Sequence, residues 1–237
     1  MSYLTFADSN IVSGVNTIHI SFPISGRWYC DIVCDSKTMM SGNATLSVPN
    51  DPNNNLIGFS LHGTIIPDYA NNFLDQFKCA FIAGNNTIQN IIKPAHYNSV
   101  PASKVISGII AQTGEELDNS IDPSLLNTII PSWTVISTNG YQALESIINF
   151  IDPSLSRRFL SNGKFWFGYE TWTPLDPKYY YNEIHFIPNQ NKYYINILSP
   201  YIVPGINIPG IGNVNYVETF ATATNVQTII YPNSGGN

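Results

Sequence analysis

The chain has 237 residues and 26.3 kDa; it is 43% hydrophobic, 13% aromatic and only 11% charged, with a net charge of −6. A typical soluble domain is about 25% charged, so Asn, Ser, Thr, Gly, Pro and Tyr stand here where charge is usual. That excludes intrinsic disorder and coiled coil, and 10 basic against 16 acidic residues speak against binding nucleic acid through its phosphates.

Residues 1–97 read as β-structure. The runs VNTIHISF (15–22) and RWYCDIVCD (27–35) are β-branched or aromatic and are parted by the turn Pro23-Ile-Ser-Gly26. NATLSV (43–48) follows, then a turn at DPNNN (51–55), then IGFSLHGTII (57–66) and FLDQFKCAFIAG (73–84). Short strands at regular spacing, broken by Gly or Pro, predict a small barrel or sandwich.

The middle changes character. PASKVISGIIAQTG (101–114) predicts a helix opened by Pro101, apolar at 105, 106, 109 and 110, and closed by Gly114. Asp122-Pro123 caps a short turn of helix. Thr138 or Asn139 caps a second long helix, 140–151, with Leu144, Ile147, Ile148 and Ile151 on one face. In FLSNGKFWFG (159–168), Asn162-Gly163 between aromatic runs predicts a hairpin. From about 176 the β pattern returns at 179–188, 192–200, 212–221 and 226–232, with a frayed end at SGGN. PGINIPGIG (204–212) reads as a structural connection.

No run approaches the roughly 20 apolar residues of a membrane span, and the start, MSYLTFADSNIVSG, lacks the pattern of a signal peptide. Cys30, Cys34 and Cys79 fit neither a disulfide framework nor a CxxC metal site and read as buried thiols of a protein made in a reducing cytoplasm. His19, His62, His96 and His185 show no metal-ligand spacing, and no nucleotide or nucleophile motif occurs. No cofactor is expected.

Three clusters remain as candidates for chemistry. Glu115-Glu116 with Asp118 offers one carboxylate of a hydrolase pair, or simply a solvated loop. Arg157-Arg158 is the only adjacent basic pair and reads as the start of a hairpin strand, with one arginine paired at a subunit contact. Trp133, Trp166, Phe167, Tyr169 and Trp172 gather around the helix–hairpin unit as a sugar platform or, more simply, as its core.

The ordered set of motifs resembles hub proteins of contractile phage tails, the Mu-like baseplate hubs related to the T4 hub. The resemblance rests on VPASKVISGIIAQTGEEL (100–117), IPSWTV (130–135), NGYQALESII (139–148) and SRRFLSNGKFWFGYETW (156–172), then Pro204-Gly205-Ile206, Val214–Thr219 and Val226–Ile230. It covers roughly 60% of the chain in the right order; Thr219 and Gln227 stand where the family pattern has His and Arg. The matching positions are Pro101, Gly114, Glu115, Trp133, Gly140, Arg158, Gly163, Trp166, Gly168, Trp172, Pro204, Gly205 and Glu218. They imply structural roles, with no catalytic or metal-binding residue among them.

The resemblance implies a β-rich α+β fold, with two small tail-tube-like β-barrel domains flanking a helix–helix–hairpin α+β domain. The N-terminal barrel would span 1–97, the α+β middle 98–175 and the C-terminal barrel 176–237. It implies a non-enzymatic virion protein of the tail baseplate, assembled in the host cytoplasm as a homotrimer that joins the hexameric tail tube to the central spike. Its partners would be the tail tube or tube-initiator protein, the spike, the baseplate wedge proteins and the tape measure protein, with no specific nucleic-acid binding and no membrane. A carbohydrate-binding β-module and a cell-wall hydrolase using Glu115 or Glu116 are the alternatives.

Overall fold

The computed structural model describes residues 3–6, 11–13, 15–35, 41–49, 57–73, 76–177, 184–196, 199, 201–222 and 225–233. The N-terminal strands are β1 (Tyr3–Phe6), β2 (Ile11–Ser13), β3 (Val15–Pro23), β4 (Tyr29–Cys34), β5 (Gly42–Pro49), β6 (Ile57–Phe73) and β7 (Gln76–Ala83). Their alternation explains the sheet. Ile18 and Ile20 of β3, Cys30, Ile32 and Cys34 of β4, and Phe77, Cys79 and Phe81 of β7 are buried on one face, while Thr17, His19 and Lys78 lie on the other. Cross-strand pairing runs β3–β4–β7–β6–β5–β1–β2, and β2 leads into β3 across residue 14. β2 therefore ends the hydrogen-bonded path, and the covalent chain carries it on to β3.

The middle segment holds β8 (Ala95–Pro101), α1 (Ala102–Thr113), α2 (Pro123–Leu126), β9 (Ile129–Val135), α3 (Gly140–Ile151), and the hairpin β10 (Ser156–Phe159) and β11 (Phe165–Gly168). The helices form where the apolar spacing predicts. The C-terminus of α1 is closed by Gly114 at φ 67, and α3 is capped by the Asn139 side chain accepting from Gln142 N–H. The buried faces, Val105, Ile106 and Ile109 of α1 and Leu144, Ile147 and Ile148 of α3, join Trp28, Phe81 and Phe165 in one continuous core. The middle segment is packed onto the N-terminal strands rather than beside them.

The C-terminal part adds β12 (Thr173–Pro174), β13 (His185–Ile187), β14 (Lys192–Ile195), β15 (Ile206–Ile208), β16 (Gly212–Thr222) and β17 (Val226–Pro232). β16 pairs antiparallel with β3 from Tyr216↔Pro23 to Thr222↔Thr17, so both ends of the chain meet in one 13-stranded, mostly antiparallel sheet. A second, smaller core forms under β14, β16 and β17, around Ile195, Val214, Val217 and Ile230. Among the described residues no helix is long and apolar enough to cross a membrane.

Three features depart from the pattern read in the sequence. β6 continues through Phe73, where a loop was expected from 67, because pairing with β7 resumes at Asn71↔Lys78 beyond a bulge. β8 and β9 form a ribbon that the polar run AHYNSV did not announce; its strands are held by each other and by α1. The ribbon strand β8 also straddles residue 97. Of the expected strand 179–188, residues 179–183 lie outside the described residues, and 192–200 shortens to β14.

Candidate functional site

Several family-motif residues, among them Glu115, Arg158, Gly163 and Gly205, meet where the β10–β11 hairpin contacts the sheet. Gly114 reverses the chain after α1 and sends Glu115 inward, where its side chain is 1% exposed. Its carboxylate accepts from the N–H of Asn85 at 2.9 Å and of Ile88 at 3.3 Å, and faces Arg27 Nη2 at 3.4 Å. Arg27 also donates to Asn86 Oδ1 and lies 5.2 Å over the Phe159 ring; its buried Nε has no hydrogen-bond partner among the described residues. Burial raises the Glu115 pKa against the opposing pull of the Asn85 N–H and the Arg27 charge. Burial likewise lowers that of Arg27, so both charged forms are costly here. Glu116, next in sequence, is exposed and reaches only Lys164 Nζ, at 2.9 Å.

At the hairpin tip, Gly163 sits at φ 77, and a Cβ there would lie 2.5 Å from the carbonyl oxygen of His62. Only glycine lets the turn come this close. The approach is fixed by His62 N–H donating to Ser161 O at 2.8 Å and by the buried Trp28 donating its indole N–H to Leu160 O at 2.8 Å. The hairpin thus extends the β6 edge and caps the core over Trp28.

A second knot lies at the base of the hairpin. Arg158 forks onto both oxygens of Glu170, donates to Ile24 O and stacks 4.6 Å over the Trp166 ring. Gly205, at φ 93, is pressed beneath: a Cβ would meet Glu170 Oε2 at 2.5 Å and Arg158 Nη2 at 2.9 Å. One arginine of the pair was expected at a subunit contact. Within the chain Arg157 pairs with Glu145 at 2.7 Å and donates to Asn149, while its buried Nε has no hydrogen-bond partner among the described residues.

The remaining motif residues lie apart from these knots or on their rim. Gly168 ends β11 against Trp166, Pro204 is buried beside Gly205, and Trp172 is half-buried at φ 48. Gly140 is buried at the start of α3, where a Cβ would strike Thr113. Pro101 starts α1, and Trp133 on β9 packs 5.1 Å from Phe150. Glu218 lies across the sheet, accepting from Tyr216 and Tyr231 hydroxyls, with His19 Nε2 at 4.0 Å.

Sequence reading missed Arg27, Trp28 and Gly84, the counterparts of this junction on the sheet. They looked like ordinary strand and turn residues, and only the fold shows what they meet. Of the rings expected as a platform, Phe167 is buried in the core, Trp133, Trp166 and Trp172 are half-buried with Trp166 under Arg158, and Tyr169 is exposed. Beside the junction opens a cavity of about 260 Å³, lined by Asn43, Thr45, His62, Asn85, Glu115, Glu116, Asn162 and Lys164 among others. Among the described residues no group of His, Cys, Asp and Glu is placed to hold a metal ion.

No protein-family profile matches the sequence, and no curated protein matches it. Solved structures do. The 43 kDa tail protein of prophage MuSo2 from Shewanella oneidensis aligns over 97% of this chain and 96% of its own, with a TM-score of 0.64 and 7% identity. A tail protein from Neisseria meningitidis aligns over 97% and 94%, with a TM-score of 0.64 and 8% identity. The chain has the fold of phage tail proteins. The E. coli c3393 protein, a type VI secretion component described as similar to T4 tail proteins gp27 and gp5, shares the fold over 93% of this chain and 74% of its own, with a TM-score of 0.57 and 11% identity.

Proposed function

We propose that this chain is a structural subunit of a contractile phage tail, a baseplate hub that closes as a homotrimer between the hexameric tube and the central spike. The observation that carries this reading is the match to tail proteins over nearly the whole of both chains. The N-terminal run β3–β4–β7–β6–β5–β1–β2, joined through β16 to β17, β14 and β13, supports two tube-like barrels at 1–97 and 176–237 around a middle domain at 98–175. The partners are then the tube or tube-initiator protein, the spike, the wedge proteins and the tape measure, in the virion baseplate.

Physical chemistry favours an assembled state. Ile91, Ile129, Ile136 and Phe150 are 71%, 60%, 67% and 50% exposed, and few charges are available to keep such a surface apart. The hydrolase alternative draws on the cavity, but Glu115 is already engaged by two backbone N–H groups and Arg27. The sugar-binding alternative draws on rings of which Phe167 is buried and Trp166 is covered by Arg158.

The test is mass measurement and particle imaging of the purified chain, alone and with the tube and spike proteins of its own phage. A trimer, or a ring formed on addition of either partner, is expected. A permanent monomer with affinity for neither overturns the proposal.

A further inference from the structure

The chain has two cores of unequal size. The first binds the N-terminal strands, both long helices and the hairpin, from Ile18 through to Phe167. The second, among the described residues, is a cluster of seven: Leu175, Ile195, Ile202, Ile208, Val214, Val217 and Ile230. Phe22 on β3 packs against both. Beyond it, the joints between them are the β3–β16 ladder, the Ile24 N–H to Asn215 O bond, the Arg158–Glu170 pair over Gly205 and the end of β17 at Val226, which reaches the first core. Strand β14 is laddered to β17 and β13, and β13 to β14, with no ladder to the N-terminal strands.

Sub-global opening follows the boundaries between separately buried clusters, and a strand leaves the native state most readily where few apolar groups hold it. Opening β13, β14 and the outer part of β17 would expose the second core and leave every member of the first in place. The reverse does not hold, because β16 takes its register from β3. The order of opening is therefore set by the fold.

We infer that the strands over the second core, β13, β14 and the outer part of β17, open as a unit of their own while the first core stays folded, giving the subunit one rigid part and one adjustable part. That adjustability would serve assembly only if the hub reading is right; the opening itself does not depend on it.

Hydrogen exchange of the intact, reduced chain, read by mass spectrometry at neutral pH and in low urea, tests this. Amides of Tyr193–Ile195 and Ile229–Tyr231 should exchange about 100-fold faster or more than those of Cys30–Ile32, Phe77–Phe81 and Leu144–Ile148. Val217→Ala should accelerate the first group by about tenfold and leave the second unchanged, which also shows that the variant still folds. Equal protection of both groups, or equal acceleration by Val217→Ala, overturns the inference. Either result leaves the assembly test of the hub reading untouched, so the two can fail separately.

Discussion

The Arg27–Glu115 pair gives the sharpest test of the junction. Glu115→Ala strands a guanidinium that is only 15% exposed and removes the acceptor of two backbone N–H groups. Breaking one side of a buried pair costs about 3–5 kcal/mol, and a chain of this length loses roughly 2–4 °C of melting temperature per kcal/mol. Glu115→Ala should therefore lower the midpoint by roughly 6–20 °C. Arg27→Met should cost less, roughly 2–3 kcal/mol, because the carboxyl left behind can take up a proton. In the double variant Arg27→Met/Glu115→Ala no charge is left unpaired. Its loss should fall short of the sum of the single losses by about 1–3 kcal/mol. Urea melts followed by tryptophan fluorescence suit the measurement, since Trp28 and Trp166 both report on the junction. A Glu115→Ala loss below about 1 kcal/mol, or additivity within about 0.5 kcal/mol, refutes the view of this pair as a buried and mutually dependent unit.

The same residue sets a pH dependence. The native pKa of Glu115 lies above its ordinary value of 4.5, so between the two the folded chain holds a proton that the unfolded chain has released. Its contribution favours folding below that window and is lost as pH rises through the native value; Glu115→Gln should remove this slope from the stability profile. Gly163→Ala should destabilise the chain by about 1–3 kcal/mol in urea melts, since αL costs a residue with a Cβ about 1–2 kcal/mol before the clash with His62 is added; a neutral outcome would mean that the tip does not dock on β6. Asn139→Ala should cost about 1 kcal/mol by loss of the α3 cap, read the same way, and no change would remove the cap from the account. Burial pushes the Cys34 thiol up to about 11 and the Cys79 thiol up to about 12, and raises Cys30 well above its usual value. At pH 8 the native chain should resist alkylation at all three, with full labelling in denaturant; mass spectrometry showing modification of the native chain would contradict this.

What could be read from the sequence follows from how local each signal is. The α3 face, the Gly114 reversal and the Asn162-Gly163 turn are set within a few residues, and each appears where its chemistry predicts. The β8–β9 ribbon was not legible, because β8 is mostly polar in sequence and the strands exist by pairing across 28 or more positions, with Ile130 and Val135 of β9 reaching the core. The same holds for the site. Arg158, Gly163 and Gly205 could be singled out by pattern, but the pattern carries no sign of Glu170, His62 or Trp28, the groups they meet. Arg27 carried no signal at all, since a lone arginine opening a strand is usually solvated.

The junction also explains why a set of individually weak motifs is informative when taken in order. Beyond their left-handed backbone, Gly163 is required by the approach of the His62 carbonyl and Gly205 by the Arg–Glu fork above it. Glu115 is tolerated in the interior only because two N–H groups and Arg27 already wait there. Each residue is constrained by a segment far away in the chain, so each constraint holds only if the whole arrangement is present. At the junction Glu115 is engaged by Arg27 and the N–H groups of Asn85 and Ile88, and Arg158 by Glu170, Ile24 O and the Trp166 ring. These contacts tie the hairpin to the sheet at both ends and fix its angle on it.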